Sequence, residues 1–158
     1  MQIDYLIDHP QLVPELARLH FAEFSRLRPG ESLEARTVRL QSYLGRAQLP
    51  MVVVALEEGR LLGSVSLVAE DLDTRPDLSP WLAGMYVVAH RRRQGIASKL
   101  VFRIIDEARQ LGIGKLYLYT ATAEAFFTHL GWALVERSVF HDAPIAVMSY
   151  QTGPGSRS

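Results

Sequence analysis

The chain contains no cysteine. That absence excludes disulfides, thiolate zinc sites, iron–sulfur clusters and a catalytic thiol together. An excess of either charge is missing as well, because 17 Lys and Arg balance 17 Asp and Glu. A general polyanion binder runs basic, so that class is disfavoured, although a local basic patch is not. The longest clean apolar run, Met51 to Leu56, falls far short of the roughly 20 residues a membrane helix needs. The five histidines (His9, His20, His90, His129, His141) include no pair at i, i+4, so no helical metal pair is visible. The first residues carry Asp4 and Asp8 without a basic segment, so no signal peptide is expected. What remains is 158 residues, 48% hydrophobic and 22% charged, an ordinary globular composition. A chain of this length buries roughly 70% of its unfolded surface without staples. The expectation is one domain over residues 1–150, a flexible Gly/Pro/Ser-rich tail over 151–158, a cytoplasmic location and a monomer or homodimer.

Hydrophobic periodicity gives the element order β-α-α-β-β-β-α-β-α-β-β. Ile3 to Leu6 reads as a short strand. Leu12, Leu16, Leu19 and Ala22 mark a helix from Pro10 to Arg28, broken at Pro29-Gly30. Ser32 is a good N-cap for a second helix with Ala35, Val38 and Leu44 on its apolar side. Met51–Leu56 and Leu61–Val68 flank a Glu-Glu-Gly-Arg turn and read as a hairpin. Glu70 to Pro80 is an acidic loop, and Trp81 to Val88 returns to strand character. From Gly95 to Leu111, Ile96, Leu100, Ile104 and Ala108 recur every four residues, and Gly112 stands at a C-cap. Lys115–Tyr119, Ala123–Leu130, Ala133–Phe140 and Ile145–Tyr150 follow as strand, helix, strand and strand. Strand–helix–strand units on a mixed sheet make the class α/β or α+β.

The informative segment runs from Met85 to Ser98. A buried strand enters a loop, and the loop opens directly into the longest helix. Amides at a helix start have no intrahelical partner, and the helix dipole is positive there. Gly95 and Ala97 leave little bulk over those donors, and Arg91, Arg92 and Arg93 add positive charge. Such a combination holds a phosphate or pyrophosphate; the alternative is a solvated basic turn. No Gly-x-x-x-x-Gly-Lys-Ser/Thr and no Gly-x-Gly-x-x-Gly after a strand occurs. Gly112-Ile113-Gly114-Lys115 follows a helix and reads as a cap and turn.

Arg92-x-x-Gly95-x-Ala97, following Val87, resembles the Arg/Gln-x-x-Gly-x-Gly/Ala signature of the GNAT acyltransferases. Ala125-Phe126-Phe127-Thr128-His129-Leu130-Gly131-Trp132 is similar to that family's later Phe-Tyr-x-x-Leu-Gly-Phe/Tyr segment. Their separation and the element order also fit. The resemblance implies a mixed, twisted sheet flanked by helices, with acetyl-CoA as co-substrate and no metal. It implies that Tyr86, Val87 and Val88 offer backbone hydrogen bonds to the pantetheine arm. Arg92 and the amides of Arg93, Gln94, Gly95, Ile96, Ala97 and Ser98 would cradle the pyrophosphate. The strands near Val87 and Tyr119 would splay apart to admit the coenzyme. Thr120 and Phe127 fall where many relatives carry Asn and Tyr and would still line the coenzyme site. Phenylalanine cannot protonate a departing thiolate, and Tyr119 is the neighbouring candidate.

A lysine-like amine has a pKa near ~10.4, so a group must take its proton before it attacks. The acidic stretch offers Glu70 as base, with Asp71 and Asp73 to attract a cationic amine and Trp81 to line the acceptor pocket. Each also has a plainer reading, as solvated loop or core cap. A main-chain N–H on Met85–Val87 is the candidate oxyanion donor. The function expected is transfer of acetyl from acetyl-CoA to a primary amine, small or peptidic. The alternative, favoured by Phe127, is a catalytically weak acyl-CoA-binding or sensing domain. Nucleic acid is not an expected partner, since no aromatics interleave with Arg91–Arg93.

Overall fold

A computed structural model describes residues 1–153. Seven strands form one sheet: β1 (Gln2–Tyr5), β2 (Met51–Glu57), β3 (Arg60–Val68), β4 (Trp81–Val87), β5 (Lys115–Thr120), β6 (Ala133–Phe140) and β7 (Ala143–Gln151). Four α-helices accompany them: α1 (Val13–Phe24), α2 (Leu33–Gln41), α3 (Ile96–Gln110) and α4 (Glu124–His129). The sheet order is β1-β2-β3-β4-β5-β7-β6. Every pairing is antiparallel except β4 with β5. A parallel pair needs a crossover, and α3 supplies it. None of the described helices is long and apolar enough to cross a membrane.

The period-3.6 stripe of α3 decides one face of the sheet. Leu100, Val101, Ile104, Ile105 and Ala108 are all buried against Val53, Val65, Leu67 and Leu118. Its end is fixed by Gly112, whose φ of +76° an L-residue adopts only with strain. Ile113 N–H donates to Ala108 O at 2.9 Å and Gly112 N–H to Arg109 O at 3.1 Å, a Schellman closure. The opposite face is covered by α1 and α2, which bury Leu16, Ala17 and Leu40 on Val52, Val54 and Leu56.

Ser32 caps α2 as expected, its Oγ accepting from Ala35 N–H at 3.0 Å. Ser32→Ala should therefore lower stability by about 1 kcal/mol in urea unfolding, and Ser32→Gly by only a few tenths. The expected apolar side of α2 needs correction. Val38 is exposed, and the buried residues are Leu40 and Arg36. Arg36 is drawn inward by Glu31, 2.8 Å away, a pairing that local periodicity does not register. The first helix is also shorter than expected: a 3-10 turn over Pro10–Leu12 precedes α1, which ends at Phe24. At the other end, Gln151 is still in β7, opposite Lys115. Thr152 is buried, with its N–H on Gly114 O. The expected tail therefore lacks its first residues, and 154–158 lie outside the described residues.

Candidate active site

Strands β4 and β5 meet at a single point. Trp81 pairs with Tyr117, whose N–H donates to Pro80 O at 3.0 Å. Beyond it the strands part, and a cavity of about 850 Å³ opens between Leu82–Val87 and Leu118–Ala123. The cavity continues past the sheet edge to α1, α2 and the segment joining them.

Two irregularities shape its β4 wall. The β3–β4 register jumps from Ser64 opposite Tyr86 to Ser66 opposite Ala83, so Val65 faces both Gly84 and Met85. This bulge re-aims the strand backbone. Gly84 sits at φ +61°, and a Cβ there would stand 3.4 Å from His20 Cε1 and from Ser66 Oγ. After the bulge, Val88 N–H donates to Leu62 O on β3 at 2.8 Å. Strand alternation then turns Val87's own N–H and C=O towards the cleft.

The loop before α3 has positive φ at Arg93 (+65°) and Gly95 (+83°). Turns of this kind bring successive N–H groups towards one point. No side chain caps the start of α3, and a Cβ at Gly95 would meet nothing within 4 Å. The donors are thus open. The three arginines do not act alike, contrary to the expectation. Arg91 reaches away to Glu57 at 2.8 Å and to Gln94 Oε1 at 2.9 Å. Arg92 folds back, donating Nε–H to Val87 O at 2.8 Å with its guanidinium 5.6 Å above the Tyr86 ring. Arg93 is exposed and has no ion-pair partner among the described residues.

Of the other expected coenzyme residues, Ile96, Ala97, Ser98, Thr120 and Phe127 line the cavity, whereas Val88 and Gln94 do not. Thr120 Oγ1 accepts from Ala123 N–H at 2.9 Å, fixing the entry to α4. Phe127 is buried edge-on against Phe126 and Trp132.

The expected chemistry residues separate. Tyr119 and Asp71 reach the cavity wall; Glu70, Asp73 and Trp81 do not. Glu70 and Asp73 are exposed. Trp81 is fully buried, its Nε1–H on Leu78 O at 2.7 Å, and packs beneath Tyr117 and Tyr119. Burial, reinforced by the Asp71 charge, raises the Tyr119 phenol above its usual range, so it keeps its proton at neutral pH. Asp71 pairs with Arg28 at 2.7 Å. Burial nevertheless pushes its carboxyl up to about 6, outweighing Arg28, Arg39 and Arg36.

His20 carries no local signal that marks it as a site residue. It is almost wholly buried on the cavity wall, edge-on to Phe24 and Tyr86. Its Nε2 lies 2.8 Å from Ser64 Oγ, and that hydroxyl donates to Gly84 O at 3.3 Å. With the Ser64 proton on Gly84 O, Nε2 is the donor, and Nδ1, which has no partner among the described residues, carries the lone pair. Burial, then the Arg36 charge, pushes its pKa down to about 3, so the ring is neutral.

The acetyltransferase (GNAT) family model matches residues 13–132. The chain belongs to the GNAT acetyltransferase family. Its fold is shared with an aminoglycoside 6'-N-acetyltransferase from Enterococcus faecium, at 18% identity, TM-score 0.75 and 98% of both chains. An aminoglycoside 6'-N-acetyltransferase complexed with coenzyme A is similar at 18% identity, TM-score 0.72 and 98% of both chains. The ribosomal-protein-alanine N-acetyltransferase from Brucella melitensis is similar at 19% identity and TM-score 0.73, over 96% of this chain and 99% of that one. No curated protein sequence matches the chain.

As a GNAT enzyme the protein uses acetyl-CoA, and its residues fit that donor. The parted strands, the cleft-facing Val87 backbone and the uncapped donors at Gly95 form a continuous path.

Proposed function

We propose that the protein transfers the acetyl group to a primary amine by direct attack. The observation carrying this reading is the single cavity reaching from the open α3 amides, past the β4 bulge, to α1 and α2. One end suits a diphosphate and the other an acceptor, with the bulge between them. Val87, Arg92 and the amides of Arg93 to Ser98 would hold the coenzyme, with Thr120 and Phe127 along its arm. A main-chain N–H at Met85–Val87 would stabilise the developing oxyanion.

In this reading the amine nitrogen bonds to the acyl carbon as the carbon–sulfur bond breaks. An acceptor arriving as ammonium releases two protons. One leaves before attack, and the other ends on the thiolate sulfur or in solvent. Asp71 replaces Glu70 as the proton acceptor: it lines the cavity, and a pKa near 6 makes it a stronger base than a free carboxylate. Tyr119, protonated at neutral pH, is the cavity phenol that can donate.

The test is CoA release read with a thiol reagent. The chain has no cysteine of its own, so every thiol detected is product. Release that rises with amine concentration and falls at least about tenfold in Asp71→Asn is expected. Acetyl-CoA binding without amine-dependent release would instead favour the sensing domain that Phe127 suggests.

A further inference from the structure

The acceptor end of the cavity has the wrong charge for a polycation. Four arginines stand there on α1's C-terminal extension and on α2: Arg26, Arg28, Arg36 and Arg39. Two carboxylates pair with them. Asp71 pairs with Arg28 at 2.7 Å, while Glu31 is shared by Arg36 at 2.8 Å and Arg39 at 2.9 Å. Arg26 is exposed and has no partner among the described residues. Asp73 lines an adjoining cavity with Arg28 and Arg39, so three carboxylates stand among the four arginines and one positive charge is in excess.

Arg36 is the informative member. It is buried, lies 5.9 Å over the Phe24 ring, and keeps a buried Nε–H with no acceptor among the described residues. A buried unpaired donor on a charged group is costly to maintain. Burial and the neighbouring Arg28 and Arg39 charges also work against its protonated form. An anion bound in the cavity that Arg36 lines would offset the like charge of Arg28 and Arg39. Arg36 also bridges the two chemical landmarks, since its charge is felt by His20 beside the bulge and by Tyr119 on β5.

We propose that the acceptor is a small molecule carrying an oxyanion, a carboxylate or phosphate, alongside its amine, and that Arg36 with Arg26, Arg28 and Arg39 receives it. This rests on the amine-transfer reading. Guanidinium groups present paired N–H donors that match carboxylate and phosphate oxygens. Asp71, within the same cluster, then faces the ammonium end. An aminoglycoside, bearing several ammonium groups and no anion, meets like charge at this end.

The experiment compares ω-amino acids of increasing chain length and O-phosphoethanolamine with their uncharged amides or alcohols, and with kanamycin. Acetyl-CoA is kept saturating, and both CoA release and the melting temperature are read. An oxyanion-bearing acceptor should show a KM at least about tenfold below its neutral twin. The carboxylate and phosphate arms tell which oxyanion is preferred. Arg26→Gln, at an exposed position, and Arg36→Lys, which keeps charge but loses Nε–H, should each raise that KM. Arg26→Gln should leave turnover of the neutral twin unchanged. If amines are acetylated but neutral twins or kanamycin serve equally well, this inference falls and amine transfer stands. If no amine releases CoA, amine transfer fails. The melting temperature then decides the anion site, which is overturned if no oxyanion-bearing probe raises it above its neutral twin.

Discussion

Gly95→Glu should abolish stabilisation by acetyl-CoA while leaving the uncomplexed fold standing. In the native protein, coenzyme at 100 times its dissociation constant should contribute about 2.7 kcal/mol, read as a rise in melting temperature. The substitution has two separate effects, of which the second removes it. Gly95 holds φ +83°, and an L-residue in that region costs roughly 1–2 kcal/mol. The new carboxylate would also stand over the uncapped α3 amides, competing with the diphosphate and repelling it. Gly95→Ala separates the two. A Cβ at this position meets no atom within 4 Å, so alanine brings backbone strain without charge or clash. The alanine variant should lose about 1 kcal/mol of stability and keep a coenzyme shift. The glutamate variant should show none. An undiminished shift in Gly95→Glu would place the diphosphate elsewhere.

This loop was legible in the sequence for a local reason. A buried strand, a glycine and a strongly periodic helix follow one another between Trp81 and Gln110, and each signal is one of short range. The hairpin of β2 and β3 and the glycine at the end of α3 were legible on the same grounds. The acceptor end was not. Arg36 sits inside α2, where helical periodicity assigns a charged residue to solvent, and its burial depends on Glu31 and on Phe24 of another helix. His20 reads as an ordinary polar position of α1 until Ser64, 44 residues later, is brought to its Nε2. Glu70 and Asp71 are adjacent in an acidic loop and indistinguishable in composition. Only the fold turns one to the cavity and the other to water. Trp81 likewise had two readings, and burial beneath two tyrosines decides for the core. Elements follow from short-range pattern, whereas sites are assembled by contacts between distant segments.

Those distant contacts imply opposite pH dependences for His20 and Asp71. Unfolded His20 titrates near ~6.5, while the folded ring resists protonation until about 3. Between these values the unfolded state holds the extra proton, so stability falls as pH falls, by about 1.4 kcal/mol per pH unit. Asp71 runs the other way. Its folded carboxyl protonates near 6, its unfolded one near ~3.9. In that window the folded state holds the extra proton, and acid relieves the cost of the buried charge. In the native protein the two largely offset each other between pH 6 and 4. Single variants expose them. Relative to the native protein, His20→Gln should gain about 2 kcal/mol in urea unfolding on going from pH 6 to pH 4. Asp71→Asn should lose a similar amount over the same range. The slopes are the readout, so any uniform destabilisation caused by the substitutions drops out. Curves for both variants parallel to the native one would mean that neither group is held away from its ordinary titration. A neutral His20 with its lone pair at the bulge, and Asp71 as a base, would then both be lost.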